Sequence, residues 1–427
     1  MSASTPTSAP ASSKVSLPPL SLYIHVPWCV RKCPYCDFNS HEVKRAKVNS
    51  DNIDDNVPNN GIPETEYVQA LLDDLTADLH WVQGREIQTI FIGGGTPSLL
   101  SVEAYKNLLA GLQEKVTFVK DIEITMEANP GTFEAEKFAG YRKLGINRLS
   151  IGVQSFADQQ LKHLGRIHNG QQAVAAIKMA KSAGFDNFNI DLMHGLPDQS
   201  QEQALADIQQ AIDLGPTHLS WYQLTIEPNT EFFKRPPVLP EDETLWDIQE
   251  AGQALLAEHG FVQYEVSAYA QQEKQATHNL NYWQFGDYLG IGAGAHGKVT
   301  DLVNAPKSLT ASPVFRTWKT RAPKDFLNAA TEDAKSKGKG FLAGKESIQN
   351  EDLGLEFLMN ALRLQQGFDL NLFEQRTGYP LTTISSGIDE AIEKGLLEKH
   401  ALADGSEQIK TSAKGSLFLN EILGLFM

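Results

Sequence analysis

Cysteine is almost absent from this 427-residue chain; the three present stand at positions 29, 33 and 36. A set so odd and so tightly spaced excludes a disulfide framework. There is also no second Cys-x-x-Cys from which a zinc ribbon could draw its other pair. Positive charge is short: 37 Lys and Arg stand against 53 Asp and Glu, a formal charge of −16. That argues against a nucleic-acid partner, which selects for a basic face, but leaves room for small anions held by local Arg or Lys. No apolar run is long enough to span a bilayer, so any membrane association is expected to be peripheral at most. Residues 1–20, rich in Ser, Thr, Ala and Pro, lack the apolar stretch of a secretory signal and read as a disordered tail. Free thiols point to the cytoplasm.

What the chain has of cysteine it concentrates in Cys29-Val-Arg-Lys-Cys33-Pro-Tyr-Cys36. Three thiolates so placed can converge on one metal centre, one ligand short of the usual four. An iron left with an open position can bind and polarise a small molecule. His25 could complete a Cys3His zinc site, but the alternating run Ser21-Leu-Tyr-Ile-His-Val26 reads as a strand and makes His25 a pleat-facing residue. Inert buried thiols fit poorly beside Arg31, Lys32 and two prolines.

Downstream, residues 40–63 are polar and rich in Asn and Asp, an exposed loop or insertion. Strand and helix patterns then alternate. Short apolar runs fall at Leu20 to Val26, Ile87 to Ile92, Ile122 to Glu127, Arg148 to Val153, Phe188 to Met193 and His218 to Thr225. Helical spacing fills the gaps between them, and six strands so joined are the signature of parallel βαβ units. The fold expected is α/β, a partial (β/α)6 TIM-like barrel over 21–235. A barrel extension over 236–345 includes an added strand at Phe261 to Val266 and a polar, weakly periodic stretch from Ser308 to Lys345. A helix–helix–hairpin order over 346–427 reads as a winged-helix-like module that packs or binds a partner.

Gly93-Gly-Gly-Thr-Pro97 follows a strand directly, where glycines let backbone approach a ligand. A tight turn is the plain alternative, and the Lys-Ser/Thr of a phosphate loop is missing. Glu127, Gln154 and Asp191 fall at or near the carboxyl ends of strands, the rim at which parallel barrels build active sites.

From Tyr23-Ile-His-Val-Pro-Trp-Cys29 through Cys36-Asp-Phe-Asn, the chain resembles the radical S-adenosylmethionine (SAM) superfamily. The neighbourhood is similar to the branch that holds oxygen-independent coproporphyrinogen III oxidase and the HemW-type haem chaperones. The resemblance implies that Cys29, Cys33 and Cys36 hold a [4Fe-4S] cluster whose fourth iron is chelated by SAM. It further implies that Gly94, Gly95 and Thr96 hold the methionyl end of SAM, that Glu127, Gln154, Arg166 and Asp191 line its site, and that Tyr23 and Tyr35 flank it. Arg166 could face an anionic substrate instead. The implied chemistry is reductive cleavage of SAM to a 5′-deoxyadenosyl radical, which calls for an electron donor.

Two features separate enzyme from carrier. The oxidase pattern has a further cysteine two residues after the triad, where this chain has Phe38, as the HemW branch does; the oxidase also carries an N-terminal extension, against a short tail here. The segment His278-Asn-Leu-Asn-Tyr282-Trp283 resembles the HemW haem motif and implies His278 as a haem ligand, supported by Asn279 and Tyr282, since His and Tyr are both haem-iron ligands. His296, in Gly290-Ile-Gly-Ala-Gly-Ala-His-Gly297, is the lesser alternative, those glycines being read as serving tight packing. The reading is a haem chaperone that binds haem, a [4Fe-4S] cluster and SAM and passes haem to acceptors, respiratory haem proteins among the candidates. The alternative is oxidative decarboxylation of coproporphyrinogen III.

Overall fold

The computed structural model describes residues 16–43, 61–132, 134–304, 311–331, 340–402 and 405–427. The expectations for 1–15 and for most of the 40–63 insertion lie outside these residues. Residues 16–20, expected to belong to the tail, are placed: Leu20 is fully buried in the first strand, and the Pro18 carbonyl accepts a hydrogen bond from Arg85.

All six expected strands form: β1 (Leu20–Val26), β2 (Ile87–Gly94), β3 (Phe118–Ala128), β4 (Arg148–Gln154), β5 (Phe188–His194) and β6 (His218–Gln223). They lie parallel and in chain order. Alternation decides which way each residue points. Leu22, Ile24, Ile90, Ile92, Leu149, Ile151, Ile190 and Leu192 are fully buried in one core with Leu71, Leu112, Ile177 and Ile208 of the helices. Each such side chain contributes about 1.5–3 kcal/mol relative to exposure. The residues between them are largely polar and face the interior of the curved sheet.

Helices α1 (Glu64–Asp78), α2 (Val102–Lys115), α3 (Ala135–Lys143), α4 (Asp158–His163), α5 (Gly170–Ser182) and α6 (Gln201–Asp213) occupy the crossovers. Reciprocal capping boxes start α5 (Asn169 with Gln172) and α6 (Ser200 with Gln203). These fix the points at which chain leaves the strand ends.

Six strands are not the whole sheet. A seventh parallel strand, β9 (Asp287–Ile291), lies along the free edge of β1. Beyond it run antiparallel β10 (His296–Thr300), β11 (Ala311–Lys319) and β12 (Leu342–Gln349). The far edge is extended by β8 (Ala268–Ala270) and β7 (Val262–Glu265), the second being the added strand expected from the sequence. The resulting twelve-stranded order is β12-β11-β10-β9-β1-β2-β3-β4-β5-β6-β8-β7, and the sheet does not close. The polar stretch from Ser308 to Lys345 therefore contains sheet, contrary to its weak periodicity. Its strands sit at the open end, where one face meets solvent and few apolar residues are required. β9 was hidden for another reason: it is buried throughout and glycine-bearing, so no alternation marks it.

After β12 come three helices at Leu353–Ala361, Leu370–Thr377 and Ser385–Glu393, then an antiparallel hairpin of Leu397–Ala401 and Glu407–Thr411. Phe357, Phe373, Ile388, Leu397 and Ile409 form a second core there, joined by Phe285 and Val314.

Candidate cofactor site

The cysteine loop is held by its neighbours on both sides. Trp28–Cys29 pairs with His41–Glu42, and Lys32 Nζ donates to the Phe38 carbonyl. The glycine turn docks against the same segment: Gly95 N donates to Val26 O and Thr96 N to Trp28 O, each at 2.7 Å. Glycine is required twice over. Gly94 has φ +112°, and a Cβ on Gly95 would lie 2.5 Å from the Trp28 carbonyl oxygen.

Loop and turn together roof a cavity of about 500 Å³ inside the sheet. Twelve residues singled out from the sequence line it: Cys29, Cys33, Cys36, Tyr35, Gly94, Gly95, Thr96, Glu127, Gln154, Arg166, Asp191 and Asn279. The three thiols are half-buried and unpaired with one another. Thr96 Oγ1 donates toward Cys29 Sγ at 3.6 Å, and Arg166 Nη1 lies 3.6 Å from Cys33 Sγ. Burial raises the Cys29 and Cys36 thiols above the ordinary value, so loading a metal centre would release protons. Among the described residues, no three His, Cys, Asp or Glu side chains close around one point as a single-ion site requires. Three cysteines at this spacing fit a cube, in which each thiolate meets a different iron. His25 is not free to join them. Its Nδ1 bonds the Tyr23 hydroxyl and its Nε2 the Asn39 carbonyl, both at 2.9 Å, and burial lowers its pKa to about 4.

The remaining rim residues set two buried carboxyls among amide, hydroxyl and guanidinium groups. Glu127 accepts from Gly94 N at 2.9 Å; burial first, then repulsion from Asp191, raises its pKa to about 7. Asp191 accepts from Asn189 Nδ2 and Ser150 Oγ, and its pKa too is raised by burial. Gln154 sits at φ +71°, a left-handed conformation costing about 1 kcal/mol or more in a non-glycine residue. The strain places its amide at the rim, where Tyr222 donates to Oε1 at 2.9 Å. Arg166 Nη2 donates to Gly152 O, Nη1 reaches Tyr35, and Nε has no partner. A cluster and SAM fit this donor set.

Three singled-out residues lie elsewhere. Tyr23 and Tyr282 line an adjoining cavity of about 530 Å³, together with His296 and Arg321, across a wall formed by Phe38, Gly94 and Glu127. His278 lines neither cavity. It stands on α7 (Thr277–Trp283), 3% exposed, with Nδ1 2.8 Å from Thr89 Oγ1, Nε2 without a partner, and the Phe91 ring 5.2 Å away. Its pKa is lowered to about 3 by burial and then by Arg148. Sequence reasoning missed the cavity floor. Arg148, Ser150 and Gly152 of β4, Asn189 and Met193 of β5, and His218, Ser220 and Tyr222 of β6 all line the cavity. The signal was available: each set falls at alternate positions on its strand, in step with Gln154 or Asp191.

Residues 23–211 match the radical SAM superfamily profile, and 348–401 match the HemN C-terminal domain. The chain is 50% identical over 413 residues to the heme chaperone HemW of Escherichia coli K12, covering 97% of this chain and 99% of that one. It is 47% identical to heme chaperone HemW of Haemophilus influenzae, covering 96% and 98%. With heme chaperone HemW of Bacillus subtilis the identity is 31%, covering 95% and 99%. Among solved structures, coproporphyrinogen III oxidase (HemN) from Escherichia coli superimposes with a TM-score of 0.73 at 22% identity, covering 96% of this chain and 90% of that one. That likeness concerns the fold alone. With the superfamily's cysteine loop and glycine turn built into its central sheet, and near-full-length identity to these relatives, the chain belongs to the HemW family of the radical SAM superfamily.

Proposed function

We propose that this protein is a cytoplasmic haem chaperone that binds haem, a [4Fe-4S] cluster and SAM and hands haem to acceptor proteins, respiratory haem proteins among them. The observation that supports it most is the concentration of cysteine loop, glycine turn and paired acids around one cavity, in a chain whose relatives carry that name. Cys29, Cys33 and Cys36 hold the cluster. Gly94, Gly95 and Thr96 receive the methionyl end of SAM, Glu127 its ammonium, and Asp191 and Gln154 its ribose hydroxyls. Arg166 and Tyr35 close that side and Tyr23 backs it. Bound together, cluster and SAM supply a reducible sulfonium, for which an electron donor is needed if SAM is cleaved. Haem lies against the His278, Asn279 and Tyr282 segment. Residues 21–235 form the partial barrel, 236–345 its extension and 346–427 a winged-helix-like module. Among the described residues, no helix is long and apolar enough to cross a membrane.

The test is an anaerobic haem titration of cluster-reconstituted protein, beside an assay of SAM cleavage with coproporphyrinogen III. Saturation near one haem per chain, without porphyrinogen turnover, is expected. Decarboxylation of coproporphyrinogen coupled to SAM cleavage would overturn the chaperone reading in favour of an oxidase.

A further inference from the structure

The floor of the cavity holds a buried cation whose Nε has no hydrogen-bond partner. Arg148 opens β4 and is 2% exposed, yet it lines the cavity. Its Nε has no hydrogen-bond partner, and no carboxylate among the described residues pairs with it. Asp191 lies within reach of its charge but accepts its hydrogen bonds from Asn189 and Ser150, and Glu123 accepts from the backbone N–H groups of Thr277 and His278. A buried guanidinium short of hydrogen-bond acceptors is unfavourable, and Asp191 offsets it only through space. His218 and His278 are instead driven toward the neutral form, by burial and then by Arg148 itself. Such a group persists where a ligand brings the missing acceptors.

We propose that Arg148 is a carboxylate receptor on the cavity floor and that its ligand is a propionate side chain of haem; this rests on the haem-chaperone reading. The other carboxylate in prospect, that of SAM, belongs at the opposite end. The glycine turn lies at the carboxyl ends of the strands, whereas Arg148 is six residues before Gln154, about 20 Å along an extended strand. Guanidinium and carboxylate match in a two-pronged hydrogen bond, and Asn279 and Ser150 line the floor as further polar groups. A propionate anchored there would set the porphyrin edge beside Asn279 of α7.

The experiment titrates the full-length, cluster-reconstituted chain with ferric haem and with haem dimethyl ester, whose propionates are blocked, for wild type, Arg148→Met and Arg148→Lys. SAM binding is measured alongside. Wild type is expected to favour haem over the ester by ~10- to 100-fold, the effect of a charge-assisted pair. Arg148→Met should bind the two alike, Arg148→Lys should keep part of the preference, and SAM affinity should stay unchanged. Unliganded Arg148→Met should also melt at a higher temperature than wild type, because a buried charge short of hydrogen-bond acceptors is gone; an arginine with only a structural role would give the opposite shift. Equal binding of haem and ester by wild type would overturn the inference, as would a loss of SAM affinity in Arg148→Met. Binding of neither haem nor ester would instead remove the chaperone reading beneath it.

Discussion

The rim and the floor of the central cavity are made by the same strands but solve opposite electrostatic problems. At the rim, carboxyls crowd together: Glu127 and Asp191 are both buried, and Asp191 repels Glu127, so protons are held more tightly than usual. At the floor, the Arg148 guanidinium has an unpartnered Nε, and burial, then the Arg148 charge, drives the His218 imidazole toward its neutral form. In the proposed assignment a cation completes the first region and an anion the second, so one parallel sheet would present binding groups of opposite sign, with polarity set by which residues alternate inward.

The comparison breaks most plainly if one end cannot be altered without the other. Cys33→Ser is expected to abolish the iron–sulfur absorbance after anaerobic reconstitution, because two thiolates cannot hold three irons. Haem binding at the floor should survive; loss of both would show a single coupled site. At the floor, Thr89→Val removes the hydroxyl bonded to His278 Nδ1. An unsatisfied buried imidazole costs about 1–3 kcal/mol, so a lower melting temperature is expected, with cluster assembly unaffected. An unchanged melting temperature would show that His278 does not depend on Thr89.

The next effect is smaller and depends on pH. With its pKa raised from 4.5 to about 7, Glu127 holds a proton in the folded chain that the unfolded chain has lost. Its contribution to stability is therefore fully present below the unfolded value and declines as pH rises toward 7. Binding of an ammonium group needs the carboxylate, so SAM affinity should rise over the same window and level off above it. Glu127→Gln should weaken SAM binding by about tenfold at neutral pH and flatten the profile. A pH-independent wild type would rule out this role. The smallest effect is Gln154→Gly. Relief of the positive φ should raise stability by no more than about 1 kcal/mol, while SAM affinity falls with the loss of the amide. Calorimetric melting and SAM titration separate the two.

Much of the rim was legible from residues alone. A cysteine window, a glycine triplet after a strand and acids at strand ends announce themselves through composition and position. Little of the floor was. Arg148 looks like an ordinary strand opener until alternation is carried back from Gln154, and nothing near it in sequence says that no carboxylate will meet it. His278 belonged to a recognisable segment, but its place beneath Phe91, bonded to Thr89, depends on a contact 189 residues away. Tyr23 shows the same limit, since it opens onto the second cavity although it stands only six residues before Cys29.

By itself, then, the sequence determined the order of the six parallel strands, the helices between them and the thiol loop, because these follow from local periodicity and from side-chain chemistry. Only the tertiary structure decided that β9 extends β1, that one wall divides two cavities, and that a buried guanidinium at the bottom keeps an unpartnered Nε. Those outcomes depend on contacts between distant segments, which determine a charge's neighbours and which no local pattern encodes.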